Sequence, residues 1–263
     1  FIYLGEISKN LVNEFGFILN GVTPEEVALA SHLKTKCVSL SVIAGNKRGG
    51  MLQKQVSSEG EKIVLGGKHI QRWHICPDKD KKLSENIIHD SNAIIKPNSV
   101  LVQNIVAHIQ NPVDHIKIIA TVIPDESKNQ YVILDTINQL ECLPSVHPYY
   151  LCGLLNSKLV NWYVYRFLYA KAIRTMHFDS VTTDKLIIPK PEGKNCKYQN
   201  LHDKLVFLVE TMLGLQKSLA GARTPEEKKV YERQIGAVDG QIDRAVYELY
   251  GLGEEEIKMV EGG

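Results

Sequence analysis

The sequence predicts an α+β protein: a mixed, largely antiparallel sheet domain with flanking helices, followed by a C-terminal antiparallel helical hairpin. Three observations predict it. Short β-branched runs at 100–106, 116–123 and 131–134 sit between turn-prone stretches around Asn111-Pro112 and 124–129. Helix starts with a threonine, a proline and a well-placed glutamate occur at 23–26 and 224–227. Leu201, Leu205, Leu208, Met212, Leu215 and Leu219 recur at alternating spacings of four and three. The expected division is a domain over 1–197 and a helical hairpin over 198–263.

Thr23 can cap a helix that begins at Pro24, with Glu26 closing a capping box ahead of Val27-Ala28-Leu29-Ala30. Segments 38–43 and 62–65 read as strands joined through the Gly-rich, basic stretch Gly45-Asn46-Lys47-Arg48-Gly49-Gly50. The three β-branched runs that follow read as an antiparallel meander. Residues 148–155 place Leu151, Leu154 and Leu155 on one helical face, and Ser157 can cap a second helix from Lys158 to about Leu168. Segment 185–191 reads as a last strand cut off by Pro189 and Pro191. In the hairpin the pattern restarts after Gly221 with Tyr231, Ile235, Val238, Ile242, Ala245 and Leu249, and Gly251 provides a stop. Each arm holds roughly three heptads, about 30 Å at the helical rise. It can serve as a cover for one side of the sheet, or as a spacer or docking arm.

Composition narrows the class. With 263 residues, 44% hydrophobic and 23% charged, disorder is excluded as the main state. The longest apolar stretches fall far short of the roughly 20 residues a membrane span needs, so a membrane protein is not expected. Five scattered cysteines without a CxxC pair argue against a disulfide framework or a structural zinc site, and fit a reducing cytoplasm.

The net charge of +1 hides opposed segments. Residues 34–82 hold eleven Lys and Arg against four Asp and Glu, and 158–200 hold eight against three. Residues 1–33, 83–157 and 201–263 are each acidic on balance. Either the two basic segments are separate solvated surfaces, or the fold joins them into one positive face suited to phosphates.

Catalytic patterns are wanting. Gly67-Lys68 has Lys62 where a Walker loop needs glycine, and His69 where it needs Ser or Thr. Pro77-Asp78 with Asp80-Lys81-Lys82, and Pro124-Asp125 with Glu126-Ser127-Lys128, are too compressed to set two carboxylates on one metal. His69, His74 and Cys76 lack a second cluster to complete a zinc site. Nothing supports a Ser/His/Asp or Cys/His site.

Several segments together resemble the TaqI-like C-terminal specificity domain, the target recognition domain of adenine-specific DNA methyltransferases and fused type IIG (Eco57I-like) restriction-modification enzymes. They are Val64-Leu65-Gly66-Gly67-Lys68-His69-Ile70-Gln71-Arg72-Trp73, Val102-Gln103-Asn104-Ile105-Val106-Ala107 and Tyr150-Leu151-Cys152-Gly153-Leu154-Leu155-Asn156-Ser157-Lys158-Leu159. Further matches are Ala172-Ile173-Arg174-Thr175-Met176-His177-Phe178, Ile187-Ile188-Pro189-Lys190-Pro191 and the tail from Gln241 to Leu252. The likeness runs from about residue 60 to 260. It departs from the family at His69, where the first signature usually has Asp, and in residues 1–40, which lack the Gly-x-x-Thr-Gly-type entry.

The resemblance implies a prokaryotic, cytoplasmic reader of double-stranded DNA with no catalytic residues of its own. The Asn-Pro-Pro-Tyr-type loop and Gly-rich cofactor strand of the methyltransferases do not occur in this sequence. It therefore implies methyltransferase or nuclease domains, of the same or a partner chain, where S-adenosylmethionine and Mg2+ act and where the target adenine is extruded. The candidate DNA contacts are Lys47, Arg48, Lys68 and Arg72 in the first basic segment and Lys171, Arg174 and His177 in the second. For each, the alternative is an ordinary surface charge. Trp162, Tyr163 and Tyr165 are expected to pack in the core. A different reading makes the hairpin a docking or oligomerisation module, as in a type I specificity subunit.

Overall fold

A computed structural model describes residues 9–16, 18–111, 113–172, 175–189 and 196–262. Helix α1 (Asn10–Phe15) precedes α2 (Pro24–Lys36), whose start is the expected capping box: Thr23 Oγ1 accepts the Glu26 N–H and the Glu26 carboxylate accepts the Thr23 N–H. Strand β1 (Cys37–Ser39) follows, then a tight 3-10 turn at Leu40–Val42 and strand β2 (Ala44–Arg48). Both departures from expectation share one cause. The segment read as a strand over 38–43 turns after three residues, and the Gly-rich stretch read as a connection is itself a strand. Edge position in a sheet lets β2 expose Gly45, Lys47 and Arg48, and ladder bonds to a central strand override its poor β propensity.

The chain continues through β3 (Lys62–Leu65), β4 (Ile70–Gln71), β5 (His74–Ile75) and β6 (Lys82–Leu83). Next come β7 (Ser99–Gln103), β8 (Ile105–Ile109), β9 (His115–Lys117), β10 (Ala120–Thr121), the short α3 (Asp125–Lys128), β11 (Tyr131–Ile133) and β12 (Ile137–Cys142). The main sheet has the order β10-β7-β12-β2, all antiparallel. The meander is realised only in part. β8 pairs with β9, but β11 leaves to pair parallel with β3, Val132 opposite Val64. There Val132 and Val64 join Leu52, Leu83 and Ala93 in a small separate core, and that burial decides the pairing.

Strand β12, the centre of the sheet, is not anticipated at all. Its Asn138 and Gln139 are buried, which masks the usual hydrophobic pattern of a central strand. Gly49, just past β2, lies so close to the chain that a Cβ would stand 2.4 Å from the Leu134 carbonyl oxygen. Only glycine permits this approach.

Helix α4 (Pro148–Asn156) leads to Ser157, whose hydroxyl accepts the Val160 N–H and starts α5 (Lys158–Tyr163). The expected continuation to Leu168 is present, but as a π-helical turn over Val164–Leu168. Trp162, Tyr163 and Tyr165 are buried in the main core, as expected. Beside them Arg166 donates to Glu26 at 2.6 Å, a pair almost fully withdrawn from water.

Strand β13 (Met176–His177), α6 (Ser180–Lys185) and β14 (Ile187–Pro189) complete the domain, with β14 antiparallel to β1. Lys190 and Pro191 of the expected last strand lie outside the described residues.

The hairpin consists of α7 (Cys196–Gly221) and α8 (Pro225–Tyr250), followed by α9 (Glu254–Gly262). Thr224 and Glu227 form the expected capping box and Gly251 ends α8 with φ at 71°. Its base shares the core of the sheet domain through Leu205, Leu208, Val209, Met212, Ile242 and Val246. From Leu213 to Gln241 no residue is buried; Leu213, Ile235 and Val238 still touch the main core from its edge, and the arms are most exposed toward the tip. The architecture is α+β with mostly antiparallel sheets and a C-terminal helical pair.

Candidate nucleic-acid interface

Strand β2 presents Lys47 and Arg48 to solvent. Arg48 Nε donates to the Asp135 carbonyl at 3.0 Å and its guanidinium lies 3.7 Å from the Asp135 carboxylate, an exposed pair of low strength. Lys68 is exposed on the 3-10 turn Gly67–His69. That turn borders an open cleft of about 600 Å³, which Lys81, Gln103, Ile105 and Thr136 also line.

His69 forms part of the cleft wall. Its Nδ1 accepts the Gly66 N–H at 2.9 Å, and burial, followed by the charges of Lys68 and Lys81, holds the ring below its usual pKa. A neutral imidazole accepting at Nδ1 carries its proton on Nε2. The position requires an acceptor for the Gly66 amide, which an Asp carboxylate or this imidazole can equally supply.

The remaining candidates divide. Arg72 is occupied: Nη1 donates to Asp239 of α8 at 2.7 Å, Nη2 donates to the Asn156 carbonyl at 2.8 Å, and the guanidinium lies 5.1 Å from the Trp73 ring centre. It ties the hairpin to the sheet domain. Lys171, half-buried at a φ of 52°, donates to the Gly21 carbonyl, and desolvation, then Arg166, lowers its pKa. Arg174 lies outside the described residues.

His177, exposed on β13, is brought to the β2 face by side chains the sequence reading passed over. Its Nδ1 lies 2.7 Å from Asn104 Oδ1. Asn104 bonds Asn138 at 2.6 Å, Asn138 bonds Asn46 at 2.8 Å, and Asn46 donates to the Phe178 carbonyl at 3.3 Å. Asn104 and Asn138 are only 2% and 1% exposed, so each unmade bond would cost about 1–3 kcal/mol. This chain joins Asn46, next to Lys47 and Arg48, to His177, whose strand partner Ile105 lines the Lys68 cleft.

The structure thus places Arg48 on the same sheet face as the Asn46–Asn138 pair that leads to His177, with Lys68 at the adjoining cleft. Lys47, one residue along the edge strand, leaves from the opposite face, and Arg72 and Lys171 are turned to other parts of the chain. The second basic segment is also less concentrated than its net charge predicts. Lys158 pairs with Glu261 at 3.1 Å, and Arg166 with Glu26. Asn104 stood with Gln103 as one of two polar residues inside the 102–107 segment; Asn46 and Asn138 carried no local mark. Among the described residues no three His, Cys, Asp or Glu side chains gather where they could hold a metal ion, and no helix is long and apolar enough to cross a membrane.

No protein-family model matches the sequence, and no curated protein sequence matches it. Among solved structures the fold is similar to a chain from work on complex assembly and conformational transition of the type I R-M system. The TM-score is 0.43 at 12% identity, covering 86% of this chain and 51% of that one. It is also similar to the HsdS subunit from Thermoanaerobacter tengcongensis, with a TM-score of 0.40 at 13% identity, covering 86% of this chain and 49% of that one. The chain spans about half the length of each.

Proposed function

We propose that this chain recognises duplex DNA in a sequence-specific manner, as the target recognition part of a restriction-modification system. The observation that carries the reading is the line of buried asparagines that joins His177 to Asn46 on the Arg48 face of the exposed edge strand, beside the cleft edged by Lys68. Cations around pre-organised polar groups divide the work as DNA readers do: Lys and Arg on phosphates give affinity, and fixed side chains at base edges give choice. The resemblance of the 64–73, 102–107 and 172–178 segments to TaqI-like specificity domains supports the same reading and adds adenine methylation as its setting. On this reading the chain grips flanking duplex, and a methyltransferase or nuclease domain does the chemistry with S-adenosylmethionine and Mg2+.

Duplex binding measured against salt concentration tests it. Replacing Lys47 and Arg48 by Ala is expected to weaken binding across all sequences and to lower the log–log salt slope by about two. Arg174→Ala is expected to act in the same direction. Unchanged affinity and slope in these variants, or no duplex binding by the parent chain, would overturn the proposal.

A second reading is favoured by one observation, the outer half of the hairpin with no buried residue between Leu213 and Gln241. It makes that arm the docking element for the catalytic subunit. A strictly monomeric chain that fails to bind its cognate catalytic domain would contradict it.

A further inference from the structure

The groups behind His177 form a chain of hydrogen bonds that runs in one direction. A backbone carbonyl can only accept, so the part of Asn46 that faces Phe178 is its NH2. That leaves Asn46 Oδ1 to accept from Asn138 Nδ2, Asn138 Oδ1 to accept from Asn104 Nδ2, and Asn104 Oδ1 as the group facing His177. Turning one amide over would set two donors or two acceptors against each other at two places. The Asn104 and Asn138 side chains are buried, and no water is free to repair the fault. The imidazole must therefore donate to Asn104, and its proton resides on Nδ1.

In the neutral ring Nε2 is then a bare acceptor. His177 is exposed, and Nε2 has no hydrogen-bond partner among the described residues. An acceptor is the wrong group for a phosphate oxygen, which sets His177 apart from Lys47, Arg48 and Lys68.

We infer that His177 is a specificity-determining residue whose Nε2 accepts a hydrogen bond from the exocyclic amino group of an adenine or cytosine in the major groove. The inference rests on the duplex-DNA reading above. Adenine N6 and cytosine N4 are the amino donors on the major-groove edge, whereas guanine O6 and thymine O4 are acceptors that would oppose the Nε2 lone pair. The buried asparagines cannot follow a change of tautomer without breaking their own bonds, so the neutral ring opposes the acceptor edges of guanine and thymine.

Two measurements test this independently. Nitrogen-15 NMR of the whole chain labelled at histidine, in mildly alkaline buffer without DNA, is expected to show His177 protonated at Nδ1 and bare at Nε2. The opposite tautomer overturns the inference. Selection from randomised duplexes is then run on the parent chain, His177→Ala and His177→Lys, at an exposed position where all three should fold. One base position is expected to favour A or C about tenfold in the parent, to lose that preference in the Ala variant, and to turn toward G or T with the donor-only Lys. The same preference in all three overturns the inference and leaves duplex recognition standing. Failure of every chain, parent included, to select any duplex overturns the proposed function and this inference with it.

Discussion

At the scale of single residues, Asp243 shows how the join between hairpin and domain is made. Its carboxylate is 4% exposed and accepts the Lys158 N–H at 2.9 Å, which satisfies the first turn of α5 from a helix distant in sequence. Burial raises its pKa above the ordinary carboxylate range, the neighbouring Asp239 adds to this, and Lys158 and Arg72 offset part of it. For a carboxyl whose folded pKa is raised, the folded state holds the proton more tightly than the unfolded chain does. Its contribution to stability is therefore most favourable below the unfolded pKa and is lost as pH rises through the folded one. Asp243→Asn keeps an acceptor for Lys158 and removes this titration. Urea unfolding from mildly acidic to neutral pH is expected to show the variant gaining on the parent as pH rises; a difference constant with pH would refute the account.

Individual elements differ in how much of them the sequence could reveal, and α4 against α7 is an instructive contact. Gly153 is where they meet: a Cβ there would stand 2.9 Å from Leu205 Cδ1 and 3.0 Å from Val209 Cγ2. Gly153→Leu is expected to cost about 1–3 kcal/mol through overpacking, read as a lower urea midpoint with an unchanged slope. No change in midpoint would mean that the helices have room to part. The reason for Gly153 lies in residues about fifty positions away and is invisible locally. Capping works the other way. Thr23, Ser157 and Thr224 bond groups within three residues, so these helix starts were legible from spacing alone. Strands β2 and β12 were not, because their polar residues take partners from each other and from Asn104 and Phe178. The same long-range pairing hid most of the candidate interface, where the sequence supplied the cations and the fold supplied the asparagines that orient His177.

Over the whole molecule, stability is expected to be graded along the hairpin. Its base belongs to the main core, while in the stretch from Leu213 to Gln241 support beyond the opposite arm comes only near the inner end, from the Arg72–Asp239 pair and the partly buried Leu213, Ile235 and Val238. Amide hydrogen exchange should therefore run roughly tenfold or more faster over residues 228–240 of α8 than over 242–250. Uniform protection along the helix would show that the tip is held as firmly as the base. The sheet domain is bound together otherwise. Cys37 lies opposite Pro189, Lys47 opposite Gln139 and Val64 opposite Val132, so each of the first three strands is completed by a late one. Two related sequences joined at a crossover between 40 and 186 would pair strands from different parents, and every ladder spanning the junction would have to match by chance. Whatever preference this face encodes is accordingly inherited as an indivisible block, and the interchangeable seams of the chain lie in its helices.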